Sequence, residues 1–194
     1  MRVTKEKAAE NRARILTAAA RLFRERGLSG VGGDALGEAA GMTHGSLYSQ
    51  FGSKERLAAE ALAEALAGSA GKAALEDAAP GSGALGGFIA RYLSAGHRDE
   101  PGQGCALAAL GCEIPRQPPA VGRAFTEGVR ASAGRIARLL PEGRRQARED
   151  EALAVTATLV GALVLARAVD DPAFSERILA AAKDHLTESL PSSV

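Results

Sequence analysis

The sequence predicts an all-α protein of about nine helices, in which a small three-helix domain precedes a larger helical one. Aromatic residues make up only 4% of the chain and tryptophan is absent. Such a composition disfavours a β-sandwich and favours helices that pack closely through small side chains. The charge is also divided unevenly, since residues 1–56 have a net charge of +4 and the remainder −3. A basic front end suits a polyanionic partner.

Four helices are predicted over residues 1–78, and the first three of them form the small basic domain. The first has an apolar stripe of Ile15, Ala18, Ala19, Leu22 and Phe23, begins at a Thr4 cap and ends at Gly27. A short helix over 34–40 ends at Gly41, and "THGSLYSQF" forms a second short helix capped by Thr43. Ser53 caps a fourth helix over about 54–78.

Proline and glycine divide the rest of the chain. The breaks at 78–87, "DEPGQG", "IPRQPPA" and Pro141 separate helices over about 84–98, 104–113, 118–140 and 145–169. Asp171 followed by Pro172 starts a last helix over 172–189. These elements predict a first domain over 1–54 and a second over 55–194.

Residues 34–51 have the pattern of a helix-turn-helix. Gly41 suits a left-handed turn, Met42 packs back as the apolar turn residue, and Leu47 and Phe51 face inward. The outward residues of the second helix are small and polar, which suits close approach to the major groove. These are Thr43, His44, Gly45, Ser46, Tyr48 and Ser49. The alternative is a tight inter-helix connection with Tyr48 and Phe51 in the core.

Residues 9–62 resemble the DNA-binding domain of the TetR family of bacterial transcriptional regulators. The matching pieces are "RILTAAARLFRERGLSGVGGDALGEAAGM", "THGSLYSQF" and "SKERLAAEAL", and the most specific part is Tyr48 and Phe51 followed by Ser53-Lys54. The resemblance implies an all-α homodimer with a ligand-binding and dimerisation domain. Residues 101–114, "PGQGCALAALGCEI", resemble a subgroup of repressors of drug-resistance and flavonoid-responsive genes.

The resemblance also implies roles in binding a palindromic operator. Thr43, His44 and Ser46 are candidates for base-edge or phosphate contacts, Tyr48 and Lys54 for phosphate, and Gly45 for close approach. Arg12 and Arg14 either add general attraction or lie on a solvated helix face. The chain departs from the family pattern at Gly32, Gly33, His44 and Gly52, where Ser or Thr, an apolar residue, Lys and Pro are frequent.

A small-molecule pocket is expected between the helices of residues 84–140. Its candidate lining residues are Phe88, Tyr92, Cys105, Leu107, Cys112 and Phe125, and for each of them an ordinary core position is the alternative. Tyr92 would offer a polar group in an apolar site. The two cysteines could form a thiol sensor, but no basic residue adjoins them in sequence, which favours buried structural cysteines.

The last two helices are apolar enough to form a dimer interface over residues 145–189. The side chains expected in it are Val155, Leu159, Leu163, Leu179 and Leu186. Two copies would form a four-helix contact, as the resemblance implies.

Other function classes find little support. The chain has no nucleophile–base constellation and no phosphate loop, so an enzyme is not expected. The three histidines are scattered, so neither a metal nor a cofactor is expected. The charged N-terminus is not a signal peptide and the apolar stretch 152–166 is short for a membrane span, which indicates a soluble cytoplasmic protein. The leading hypothesis is a ligand-responsive repressor, and the alternative is a DNA-binding regulator that has no ligand or acts as an activator.

Overall fold

The structure is a computed structural model that describes residues 5–67, 83–140 and 144–189. These ranges contain ten α-helices and no strand, which confirms the all-α class. Contacts between residues group the chain into two compact units, residues 1–69 with 105–128 and residues 70–104 with 129–194. The predicted domain boundary after residue 54 stays a prediction.

The helices are numbered in chain order. The first unit contains α1 (Lys5–Arg26), α2 (Gly33–Ala40), α3 (His44–Phe51), α4 (Lys54–Ala67), α7 (Ala106–Leu110) and a 3₁₀ turn at Ile114–Arg116. The second contains α5 (Ala84–Tyr92), α6 (Ala95–Asp99), a 3₁₀ turn at Pro101–Gln103, α9 (Arg145–Ala168) and α10 (Pro172–Ser189). Helix α8 (Pro119–Leu139) has residues in both units.

In the first unit, α1 packs against α2 and α4, and α3 packs against both α2 and α4. The stripe predicted on α1 is buried at Ile15, Ala19, Leu22 and Phe23, while Ala18 is half-exposed. Gly27 ends α1 as predicted, because its φ of 77° is left-handed and its N–H donates to Phe23 O at 2.8 Å.

The loop after α1 is held by a carboxylate from a distant part of the chain. Glu113 accepts hydrogen bonds from the backbone N–H groups of Leu28 and Ser29, at 3.2 and 3.0 Å. A Cβ atom at Gly27 would overlap the carboxylate of Glu113. Glycine is therefore required at residue 27 both by its backbone angle and by this close approach.

The second unit is built around the pairing of α9 with α10. Helix α5 packs on α10, and α6 packs on α9. The start predicted for α10 is confirmed, because Asp171 Oδ1 accepts the N–H groups of Ala173 and Phe174 at 2.9 and 3.0 Å. Pro172 occupies the first position of the helix, where the missing N–H has no cost.

Three predicted elements differ from the structure or extend beyond the part it describes. The helix expected over 84–98 is broken between Tyr92 and Ala95, where Ser94 Oγ accepts the N–H of His97 at 3.2 Å and caps a new helix. The helix expected over 104–113 covers only Ala106–Leu110. The helix expected over 54–78 is described as far as Ala67, so its C-terminal part lies outside the described residues, as does the Thr4 cap of α1.

Candidate functional site

The turn between α2 and α3 has the geometry that the sequence predicts. Gly41 is left-handed, with φ 63° and ψ 41°, and its N–H donates to Glu38 O at 3.0 Å. The N–H of Met42 donates to Gly37 O at 2.8 Å, which closes the end of α2. Leu47 and Phe51 are each 1% exposed, so one side of α3 is buried in the first unit. The other side of α3 is thereby directed outward.

The outward side of α3 is small and polar. Thr43, Gly45 and Ser49 are exposed and Ser46 is half-exposed. The hydroxyl oxygens of Thr43 and Ser46 lie 3.1 Å apart, and Ser49 Oγ donates to Ser46 O at 2.9 Å. Within the described part of the chain, no heavy atom lies within 4 Å of a Cβ placed at Gly45, so this position faces open space. A face of this kind fits the major groove and presents hydroxyl groups to bases or phosphates.

Two predicted contact residues, His44 and Tyr48, lie in α3 between these polar residues. Their side chains are outside the described part of the structure, so their roles stay predictions. Lys54 is exposed at the first residue of α4. The helix starts with a cap, because Ser53 Oγ accepts the N–H of Arg56 at 3.2 Å. Lys54 and the start of α4 together suit a phosphate group.

A cavity of about 300 Å³ lies in the second unit. Phe88 and Tyr92, two of the six predicted lining residues, line it. Their ring centroids are 5.7 Å apart, and the ring of His97 meets that of Tyr92 edge-on at 4.6 Å. The other lining residues are Arg91, Ser94, Gly96, Glu100, Gln103 and Gly104. Aromatic walls with a few polar groups are typical of a small-molecule site.

His97 is fixed within this cavity in one tautomer. Its Nδ1 lies 2.7 Å from Tyr92 O, and a carbonyl oxygen only accepts, so Nδ1 carries the proton. Burial lowers the pKa of His97, and the guanidinium groups of Arg167 and Arg91 also lower it, against the hydrogen bond to Tyr92, which raises it. A Cβ at Gly104 would lie 2.8 Å from His97 Nε2, so glycine gives the ring its space. His97 carried no distinguishing signal in the sequence, whereas Gly104 lies in the segment 101–114 that resembles the repressor subgroup.

The four other predicted lining residues belong to the first unit and do not line this cavity. Leu107 is a core residue, while Cys105 and Phe125 are half-buried. Cys112 is exposed, so the interpretation of both cysteines as buried structural residues is wrong. The reason is that α7 ends at Leu110 and Cys105 precedes it, which leaves both cysteines outside the short helix.

The five residues predicted to form the dimer interface are buried within the single chain and are not on its surface. Each is at most 4% exposed in the single chain, because α9 and α10 bury these faces within the second unit. This correction concerns Val155, Leu159, Leu163, Leu179 and Leu186. The exposed large apolar residues of the same helices are Leu153, Leu165 and Phe174, at 48%, 57% and 46%. An interface formed by these helices would have to use the second set.

Helix α9 is long and apolar enough to cross a membrane by length and composition. Core helices of soluble proteins meet the same criteria, so this observation is weak evidence for a membrane protein.

A helix-turn-helix within an all-helical fold is an architecture typical of DNA-binding proteins. Residues 15–61 match the family model described as bacterial regulatory proteins, tetR family. No curated protein matches the chain.

Solved structures have the same fold. The reduced form of NemR from E. coli is 20% identical, with a TM-score of 0.78 over 94% of this chain and 98% of that one. TetR-family regulators from Agrobacterium tumefaciens and Cytophaga hutchinsonii are 20% and 21% identical, each with a TM-score of 0.74. The first alignment covers 94% of this chain and the second 97%, and both cover 98% of the solved chain. The family model thus covers the helix-turn-helix region, and the solved structures share the fold of nearly the whole chain.

Proposed function

We propose that this chain is a ligand-responsive repressor that binds a palindromic operator as a homodimer in the cytoplasm. In this proposal a small apolar or aromatic molecule binds the second unit and releases the DNA. The observation that carries the proposal is the outward side of α3, which is polar and open at Gly45 while Leu47 and Phe51 anchor the opposite side. The small side chains on this side allow α3 to approach the floor of the major groove closely.

Selection from random duplex DNA tests sequence-specific binding. The wild-type chain should enrich one palindromic sequence, with half-sites about one helical turn apart or somewhat wider. Gly45→Leu should weaken binding to the selected duplex at least about tenfold, because a Cβ at Gly45 points into open space and the larger side chain would block approach to the groove. Gly134→Leu is the matched control, since Gly134 in α8 is also exposed with open space around it. Equal binding by both variants would contradict the assignment of α3 as the recognition helix.

The exposed side of α9 supports the homodimer. It is uncharged along several turns, although a solvated helix face normally carries charge. Its partly or fully exposed residues include Leu153, Ala157, Gly161, Val164, Leu165 and Ala168. On α10, Phe174 extends the apolar surface. Two copies meeting here would form a four-helix contact with two-fold symmetry, which matches a palindromic operator.

The cavity between Phe88 and His97 supports a small-molecule effector. Its volume lies at the low end of the range for ligand sites, so a molecule of one or two aromatic rings is the expected size. Tyr92 and His97 offer polar edges within aromatic walls. A bicyclic phenol such as 2-naphthol is therefore a suitable probe.

The effector role is tested by titrating 2-naphthol with and without the selected duplex. Since coupling between two sites is reciprocal, DNA should weaken 2-naphthol binding by the same factor by which 2-naphthol weakens DNA binding. Phe88→Ala should weaken 2-naphthol binding and leave DNA affinity in its absence unchanged. Equal 2-naphthol affinity in both titrations would rule out release by this class of molecule.

A further inference from the structure

Two arginines of α1 hold the ends of the two helices of the helix-turn-helix. Arg14 Nη2 donates to Ala40 O at 2.8 Å, and Ala40 is the last residue of α2. Arg12 Nη1 donates to Gln50 O at 2.9 Å, one residue before the end of α3. Carbonyl groups at a helix C-terminus lack partners within the helix and form the negative end of its dipole. A guanidinium group is therefore well suited to both positions.

Arg12 is fixed by more than this one hydrogen bond. Its guanidinium carbon lies 4.2 Å from the centroid of the Phe51 ring, in cation–π geometry. It also forms an ion pair with Glu60 of α4, and Glu60 in turn pairs with Arg56 at 3.1 Å. Arg12 thus connects α1 to the end of α3 and to α4. Its planar fork serves all three partners, which the single ammonium of a lysine could not do.

We propose that Arg12 and Arg14, here called the arginine clamp, are positioning residues that set the orientation of α3 and α2 for DNA recognition. The proposal rests on the DNA-binding part of the proposed function. Helix α3 is only eight residues long, and an isolated helix of that length is not stable in water. Its orientation therefore depends on contacts from neighbouring helices. Base readout requires that orientation to be reproducible, because hydrogen bonds to base edges tolerate little displacement.

Amide hydrogen exchange in the free protein tests the clamp without DNA. Arg12→Met should speed exchange of the α3 amides about tenfold, the expected loss for one hydrogen bond to a charged group. Arg21→Met is the matched control, because Arg21 is an exposed residue of the same helix that pairs with Glu25. Unchanged α3 exchange in Arg12→Met, or equal acceleration in both variants, would overturn the proposal.

Arg12→Lys distinguishes the effect of the guanidinium geometry from that of the positive charge. It also provides the test if Arg12→Met does not fold. It retains the positive charge but cannot bridge Gln50, Glu60 and Phe51 together. Faster exchange of α3 is expected again. Wild-type exchange in Arg12→Lys would overturn the argument, since charge alone would then suffice. Arg14→Met should likewise speed exchange at the end of α2.

DNA-binding measurements distinguish a positioning role of Arg12 from a general structural role and from a phosphate contact. Arg12→Met should bind the selected duplex about tenfold more weakly, while its affinity for random duplex DNA and its salt slope match those of Arg21→Met. An equal loss on both DNAs with a shallower salt slope than Arg21→Met would identify a phosphate contact and overturn the clamp. If the wild-type chain selects no sequence, the proposed function fails, and the exchange rates of α3 still decide the clamp.

Discussion

Leu165 and Leu163 of α9 form a matched pair that tests the proposed homodimer and the location of its interface. Leu165 is 57% exposed and Leu163 is 0% exposed, although the two residues are only two positions apart. Leucine to alanine removes three carbons, which corresponds to roughly 2.4 kcal/mol for a fully buried side chain. The exposed share of Leu165 would then contribute roughly 1.4 kcal/mol per protomer, and roughly 2.7 kcal/mol for the two copies in a symmetric dimer. Leu165→Ala should therefore weaken dimerisation about a hundredfold.

The same substitution at Leu163 should act on folding instead. Because this side chain is completely buried, Leu163→Ala should lower the free energy of unfolding by about 3 kcal/mol or more. Sedimentation velocity over a range of protein concentrations measures the dimer dissociation constant, and urea denaturation measures stability at a fixed concentration. The reasoning is refuted if Leu165→Ala leaves the dissociation constant unchanged, or if Leu163→Ala weakens the dimer while its stability is retained.

Three further predictions concern the two candidate sites. Lys54→Ala should weaken DNA binding with a salt slope smaller by about one counterion, and an unchanged slope in fluorescence anisotropy titrations would contradict a phosphate contact. Since burial lowers the folded-state pKa of His97, its contribution to stability is full above about pH 6.5, the unfolded value, and is lost as the pH falls towards the folded value. In urea denaturation, His97→Gln should remove this dependence of the free energy of unfolding on pH, whereas His185→Gln, at an exposed position of α10, should not change it. A pH dependence that persists in His97→Gln would contradict its assignment to His97. Gly104→Ala should lower the free energy of unfolding by about 1–3 kcal/mol because its Cβ would meet the His97 ring. Gly96→Ala is the control, since its Cβ would meet only Ser94 Oγ at 4.0 Å. Equal shifts of the melting temperature in the two variants would contradict this steric explanation.

The helix-turn-helix could be predicted from the sequence because its determinants are local. Gly41 needs a left-handed conformation whatever surrounds it, and Leu47 and Phe51 are the large apolar residues in an otherwise polar α3. The start of α10 was equally predictable, since Asp171 and Pro172 act within one turn. The arginine clamp could not be predicted, because its partners are backbone carbonyl groups of residues far along the chain.

The exposed side of α9, where we propose the dimer contact, could not be distinguished from its buried side in the sequence for a different reason. Residues 152–166 are uncharged on every side of α9, so periodicity does not distinguish the side that meets α10 from the side that is exposed. Only the position of α10 decides between Leu163 and Leu165. Of the cavity residues, Phe88 and Tyr92 were predicted but Ser94 and His97 were not. The reason is that Ser94 caps a new helix within a segment that helical periodicity alone would continue.

The Glu113 contact has a consequence for exchanging DNA-binding segments between regulators. Since Glu113 binds the N–H groups of residues 28 and 29, the side chains at those two positions are not specified by the contact. Residue 27 is specified, because any side chain there would occupy the space of the carboxylate. The loop has two further constraints, because Leu28 is 3% exposed and a Cβ at Gly30 would overlap the backbone carbonyl oxygen of Arg26. A segment exchanged at this loop would therefore have to keep glycine at residues 27 and 30 and an apolar side chain at residue 28, whereas the side chain of residue 29 is exposed.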